Sequence, residues 1–159
     1  MKTLVVYYSL TGKTEVVAQA LARELGADLR RVEDAEPRAP SWWFMVSASM
    51  GALRGAQAPI KPIDTSLQAY ERVFVGSPVW AGSPSTPINA FIAQADFRGK
   101  QVVPFMTMGG KDAAPALRKM SERIEQKGGR LTGSFALSSG DVTNEALAAQ
   151  VREIAQRYR

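Results

Sequence analysis

Apolar residues fall into five short blocks along the 159-residue chain, and each is followed by a stretch with helical spacing. The first, Leu4-Val5-Val6-Tyr7-Tyr8, is unbroken and of strand length, as suits a central parallel strand covered on both faces. From Glu15 to Leu25 the apolar positions Val16, Val17, Ala20, Leu21 and Leu25 keep helical spacing, and Gly26 supplies a stop. Ala27 to Glu33 is a weaker, more charged strand, as an edge strand would be. Val73-Phe74-Val75 predicts a third strand that ends at Gly76. Thr86 and Pro87 then read as N-cap and first helical residue, with Ile88, Phe91 and Ile92 as the buried face. Gln101 to Met106 predicts the fourth strand. Pro104 inside it conflicts with a central position, because such a strand needs its donors, and a bulge near its end is expected. Pro115 opens a helix whose face is Leu117, Met120 and Ile124, stopped by Gly128-Gly129. Arg130 to Leu137 predicts the fifth strand, and Asn144 the cap of a last helix that buries Leu147, Val151, Ile154 and Tyr158.

Residues 34–62 break this rhythm. Ser41 is placed to cap a helix that begins Trp42-Trp43-Phe44-Met45 and runs to about Leu53. Those four large side chains cannot all face one core from a helix. Either two pack inward and the others cover a loop, or Trp42, Trp43 and Phe44 form a lid beside a ligand or a partner surface.

Strand and helix alternate five times, which predicts an α/β fold: one domain over residues 1–159 with helices on both faces of a parallel sheet. Ligands of such sheets sit beyond the carboxyl ends of the strands. Three unusual stretches fall there. The first, Ser9-Leu10-Thr11-Gly12-Lys13-Thr14, joins strand one to its helix. It brings backbone N–H groups and the hydroxyls of Ser9, Thr11 and Thr14 to a helix N-terminus, where the dipole favours an anion. Gly12 permits backbone angles that a side chain resists. The nucleotide-triphosphate loop G-x-x-x-x-G-K-[ST] fails here, because its first glycine would fall at Tyr7. The second stretch, Gly76 to Pro87, is rich in Gly, Pro and Ser and reads as a loop, with Trp80 in its middle. That tryptophan either plugs the top of the core or stacks on a flat ligand. The third is Thr107-Met108-Gly109-Gly110.

Composition narrows the chemistry. Cysteine and histidine are both absent, which excludes disulfides, thiolate nucleophiles, Cys/His zinc sites and histidine acid–base catalysis. A redox protein whose cofactor carries the reaction needs none of them. The net charge of +5 raises nucleic acid as a partner, but the basic residues are scattered and not interleaved with aromatics, so no nucleic-acid role is expected. No apolar run has the length of a membrane span, and the apolar stretch before Ser9 is shorter than a signal peptide needs. A cytoplasmic location and no membrane partner are the expectation.

With its three loops placed, the sequence resembles the flavodoxin family along nearly its whole length. Ser9 to Thr14 matches the [ST]-x-T-G-x-T phosphate loop at every defined position. Gly76 to Gly82 looks like the second flavin loop, and Thr107 to Gly110 like the third. The resemblance implies a flavodoxin-like three-layer sandwich, a five-stranded parallel sheet of order 2-1-3-4-5, and FMN at the switch point. It implies cofactor-binding residues at Ser9, Leu10, Thr11, Gly12, Lys13 and Thr14, at Pro78, Val79, Trp80, Ala81 and Gly82, and at Thr107, Met108, Gly109 and Gly110. In this reading Trp80 stacks on the ring, the Ala81-Gly82 peptide contacts flavin N5, and no side chain acts as acid or base and no metal is bound. The third loop lacks the aromatic residue many flavodoxins have, and the chain is basic where many are acidic. The implied function is an FMN electron carrier. Its redox partner would present an acidic docking face, and the chain itself would be a monomer or weak homodimer. An NAD(P)H-dependent FMN or quinone reductase, or an interaction domain without flavin, are the alternatives.

Overall fold

The computed structural model describes residues 1–35, 59–110 and 112–159. Trp42, Trp43, Phe44 and the helix expected from Ser41 to Leu53 lie outside the described residues. In chain order the elements are β1 (Thr3–Tyr7), α1 (Lys13–Leu25), β2 (Asp28–Arg31), β3 (Arg72–Trp80), β4 (Ser83–Pro84), α2 (Thr86–Gln94), β5 (Gln101–Met108), α3 (Ala114–Gln126), β6 (Arg130–Leu131), β7 (Phe135–Ser138) and α4 (Asn144–Ala155). A 3-10 turn, Gln156–Tyr158, closes the chain.

The sheet runs β2-β1-β3-β5-β6, with β7 also paired to β5. These pairings are parallel. With β5 as fourth strand and β6 and β7 as two pieces of the fifth, the order is the expected 2-1-3-4-5. Side-chain alternation along the strands then sorts the interior into two layers. Leu4, Val6, Val73, Val75 and Met106 pack on one face with Phe91 of α2 and Met120 and Ile124 of α3. Val5, Phe74, Val103 and Phe105 pack on the other with Val17 and Leu21 of α1 and Leu147 and Val151 of α4. Every residue of β1 is buried, whereas β2 is mostly exposed and charged, as its edge position allows.

Two strands run further than their sequence predicts, and prolines explain why. The expected third strand stops at Gly76, but β3 continues through Pro78 to Trp80, turns over Ala81-Gly82, and pairs antiparallel with β4. In a parallel ladder, alternate residues turn their backbone groups to opposite neighbours. The Gly76 carbonyl accepts the Tyr8 N–H at 3.1 Å, so even-numbered residues of β3 face β1. Pro78 is the next even residue, and it lies past the end of β1, where no partner awaits its missing N–H. Pro104 follows the same rule. The Val102 carbonyl accepts the Thr132 N–H at 3.1 Å, so even residues of β5 face the fifth strand. Pro104 meets that strand between β6 and β7, where pairing is interrupted. Val102 pairs with Leu131 and Phe105 with Phe135, so the extra residue lies in the fifth strand. The expected bulge is therefore in Pro104's neighbour and not in its own strand.

Helix starts are also shifted from their predicted residues. α2 is capped by Ser85, so Thr86 is already helical. α4 is capped by Thr143 in place of Asn144, its Oγ1 accepting the Ala146 N–H at 3.1 Å. Asn144 is instead held by Lys13.

Candidate functional site

The chain leaves β1 for β2 on one side and returns as β3 on the other, so its direction of winding reverses between β1 and β3. Loops part at such a reversal and open a crevice beyond the strand ends.

The first loop has the geometry of an anion seat. Gly12 caps α1 with φ of 99°, a conformation suited to glycine. The Ser9 Oγ accepts the Gly12 N–H at 3.1 Å and closes the turn. The first helical bond runs from the Val16 N–H to the Gly12 carbonyl at 3.1 Å. The N–H groups of Lys13, Thr14 and Glu15 precede that bond, so the helix offers them no acceptor. With the helix dipole they favour a negative charge. The Lys13 ammonium is engaged elsewhere: its Nζ donates to the Val142 carbonyl at 2.8 Å and to Asn144 Oδ1 at 3.1 Å, tying α1 to the start of α4. Thr11 is exposed on the loop, while Thr14 is buried and shares a hydrogen bond of 2.7 Å with Thr107 at the end of β5.

The second loop is a two-residue hairpin turn. Ala81 has φ of 49° and Gly82 φ of 71°, both positive as a type I′ turn requires. Lys119 of α3 holds this tip, donating to the Gly82 carbonyl at 3.3 Å and the Ser83 Oγ at 2.9 Å. Below the tip, the Ser77 Oγ accepts the Ser85 N–H at 2.9 Å. Trp80 is 3% exposed, with its ring edge-on to Tyr8 at 5.7 Å and 89°. It stands as a wall of the core's upper end. In the third loop Thr107 and Met108 belong to β5, and only Gly109-Gly110 forms the turn. The Met108 carbonyl accepts the Ser139 N–H at 2.8 Å.

These parts enclose a cleft of about 170 Å³. Leu10, Thr11, Lys13, Thr14, Pro78, Val79, Trp80, Thr107, Met108 and Gly109 all line it, together with Ser139. Ser9, Gly12, Ala81, Gly82 and Gly110 shape the turns around it without lining it; Ser9 borders a separate hollow beside Tyr8 and Asp34. Sequence reading missed Ser139, although Ser138-Ser139-Gly140 after the fifth strand has the small-residue character that marks the other loops. It also missed Ser77 and Ser85, which bond to each other across the base of the hairpin, and Lys119, which reaches its tip from another element.

A larger hollow of about 480 Å³ lies at the opposite edge, between Gln94–Arg98 and Glu125–Gly128. It gathers the C-terminal ends of α2 and α3, whose dipoles repel an anion. The smaller cleft is the better candidate on chemistry: one end carries free helix amides and hydroxyls, and the other carries the apolar walls of Leu10, Pro78, Val79 and Met108. That donor set fits a phosphate monoester attached to a flat apolar group.

Fold and site together define a parallel α/β protein with open helix amides and an apolar-walled cleft at its switch point. The chain matches the flavodoxin family over residues 2–154 and belongs to it. A flavoprotein from Lactobacillus acidophilus, solved in complex with FMN, is 26% identical, with a TM-score of 0.70 over 85% of this chain and 92% of that one. A Bacteroides eggerthii protein of known structure is 28% identical, with a TM-score of 0.74 over 97% of this chain and 98% of its own. An NAD(P)H dehydrogenase (quinone) from Acidovorax ebreus is 35% identical over 101 residues, which is 59% of this chain. The match spans only 46% of that protein's length.

Proposed function

We propose that this chain is an electron-transfer flavoprotein that holds FMN in the cleft beyond β1, β3 and β5. The observation that carries the reading is the convergence of an anion seat and apolar walls in one cleft; the FMN complex of the Lactobacillus acidophilus relative supports it. The amides of Lys13, Thr14 and Glu15, with the hydroxyls of Thr11 and Thr14, would hold the phosphate. Leu10, Pro78, Val79 and Met108 would flank the ring, with Trp80 closing one side. Bound FMN supplies the electron chemistry. The residues bind, orient and exclude water. Lys13 is the sole titratable side chain lining the cleft among the described residues, and its bonds to Val142 and Asn144 point it to a structural task. No side chain is asked to move a proton.

With a net charge of +5, the chain would meet a redox partner through an acidic docking face on that partner, and their association would slow as salt rises. Among the described residues no helix is long and apolar enough to cross a membrane.

The visible spectrum of the purified protein, with release and identification of the cofactor, tests the reading. FMN is the expected result, and stoichiometric FAD overturns it. Gly12→Val should weaken FMN binding at least tenfold, about 1.4 kcal/mol, and leave riboflavin binding nearly unchanged. A Cβ at this position meets nothing within 4 Å, so the penalty comes from the backbone angle that shapes the seat. Equal loss of both ligands would argue against the seat. The name of the Acidovorax ebreus relative favours a second reading, an NAD(P)H-dependent quinone reductase. Rapid bleaching of the flavin by NAD(P)H alone would decide for it.

A further inference from the structure

The hydroxyls of Thr14 and Thr107 lie 2.7 Å apart, one on the first turn of α1 and the other at the carboxyl end of β5. They are 2% and 3% exposed, and both line the cleft. Each hydroxyl owns one proton. The bond between them uses one, so one proton of the pair is left without a protein acceptor among the described residues. A helical threonine can turn its hydroxyl back to the carbonyl four residues earlier. Here that carbonyl belongs to Leu10, and no such bond is formed. Thr14 stands beside the open amides of the anion seat, while Thr107 reaches it from the strand behind. An anion in the seat is met favourably in one arrangement: Thr107 donates to Thr14, and Thr14 donates outward. The reverse arrangement turns the Thr14 oxygen lone pairs toward a negative charge.

We infer that Thr107 is a positioning residue, whose hydroxyl donates to Thr14 and so aims the Thr14 proton into the anion seat at the start of α1. This goes beyond the cofactor contact that resemblance of the third loop implies for Thr107. It rests on the FMN reading above. A chain of two hydroxyls polarises along its length, so Thr14 donates more strongly with Thr107 behind it than alone. The same bond ties the phosphate end of the cleft to the strand that carries its third wall.

The test compares FMN with riboflavin, which lacks the phosphate, by quenching of flavin fluorescence on protein freed of its cofactor. Thr107→Val keeps the shape and removes the donor. It should lower FMN affinity about fivefold, the effect of one hydrogen bond, and leave riboflavin affinity unchanged. Thr107→Ser should restore the preference for FMN. On a Thr14→Val background, Thr107→Val should change that preference no further, because the relay has lost its second member. Where Thr107→Val does not fold, Thr107→Ala reads the same ratio. A variant that weakens both ligands equally, keeps the wild-type ratio, or adds its full effect to Thr14→Val overturns the positioning role. Wild-type protein that binds riboflavin as tightly as FMN overturns instead the reading of the cleft as an FMN site.

Discussion

Ala81 is the non-glycine residue with positive φ among the described residues. The left-handed conformation costs such a residue about 1–2 kcal/mol. Glycine there would remove that strain and lose about 0.5–1 kcal/mol of it to the entropy of the unfolded chain. Ala81→Gly should therefore stabilise the fold by about 0.5 kcal/mol or slightly more and so raise the urea midpoint, whereas the β-branched Ala81→Val should lower it. A fall with glycine would mean that the turn is not strained. The sequence showed a Gly-, Pro- and Ser-rich stretch here but not its tight hairpin, because the two-residue turn depends on β3 extending past Gly76. Trp80 is a similar case. Its presence at the end of a central strand was plain, but whether it offered a face or an edge depended on Tyr8, which lies 72 positions earlier in the chain.

Glycine also acts between elements. A Cβ on Gly76 of β3 would come within 2.2 Å of the Phe105 ring on β5. That ring cannot swing away freely, since it is fully buried and stacked on Phe135 at 5.3 Å and 6°. Gly76→Ala should destabilise the fold by about 1–3 kcal/mol in urea unfolding. Phe105→Leu in the same chain should recover part of the loss, and no recovery would place the cost elsewhere. Lys13 joins α1 to the start of α4 by its two hydrogen bonds. Lys13→Met should cost about 1 kcal/mol and speed amide exchange in the first turn of α4. Element type and order were legible because a period of two or of 3.6 residues shows itself within a short window. Element ends were not. Pro78 and Pro104 each read as breakers, yet both sit in strands at points where the neighbouring strand has ended or parted.

For the molecule as a whole, three tyrosines shape the response to alkali. Burial, then the charge of Glu15, holds the Tyr7 phenol above its ordinary range. Tyr70 is raised by the hydrogen bond it donates to Asp28 Oδ2 at 2.7 Å, and then by burial. Burial raises Tyr158. The folded chain keeps these protons at pH values where the unfolded chain releases them. Their contribution is therefore fully present below the ordinary tyrosine value of about 10 and is lost as pH rises through the higher folded values. The urea midpoint should fall steeply above about pH 10, and less steeply in Tyr70→Phe. An unchanged midpoint up to full tyrosine ionisation would contradict the burial argument.

The sequence alone determined the βα order, the parallel sheet covered on both faces, and a hydroxyl- and glycine-bearing turn at Ser9 to Thr14 that opens a helix. Each is a local pattern, written in side-chain period or in the spacing of hydroxyls and glycine along a few residues. Tertiary structure decided what those parts do together. Thr14 meets Thr107 across 93 positions of chain, and Lys13 meets Val142 across 129. Both pairings depend on where β5 and α4 come to lie, and so on strand register and helix packing that no short window contains. The choice of the small cleft over the larger hollow has the same origin, because the sign of the field at each edge follows from which helix ends the fold brings there.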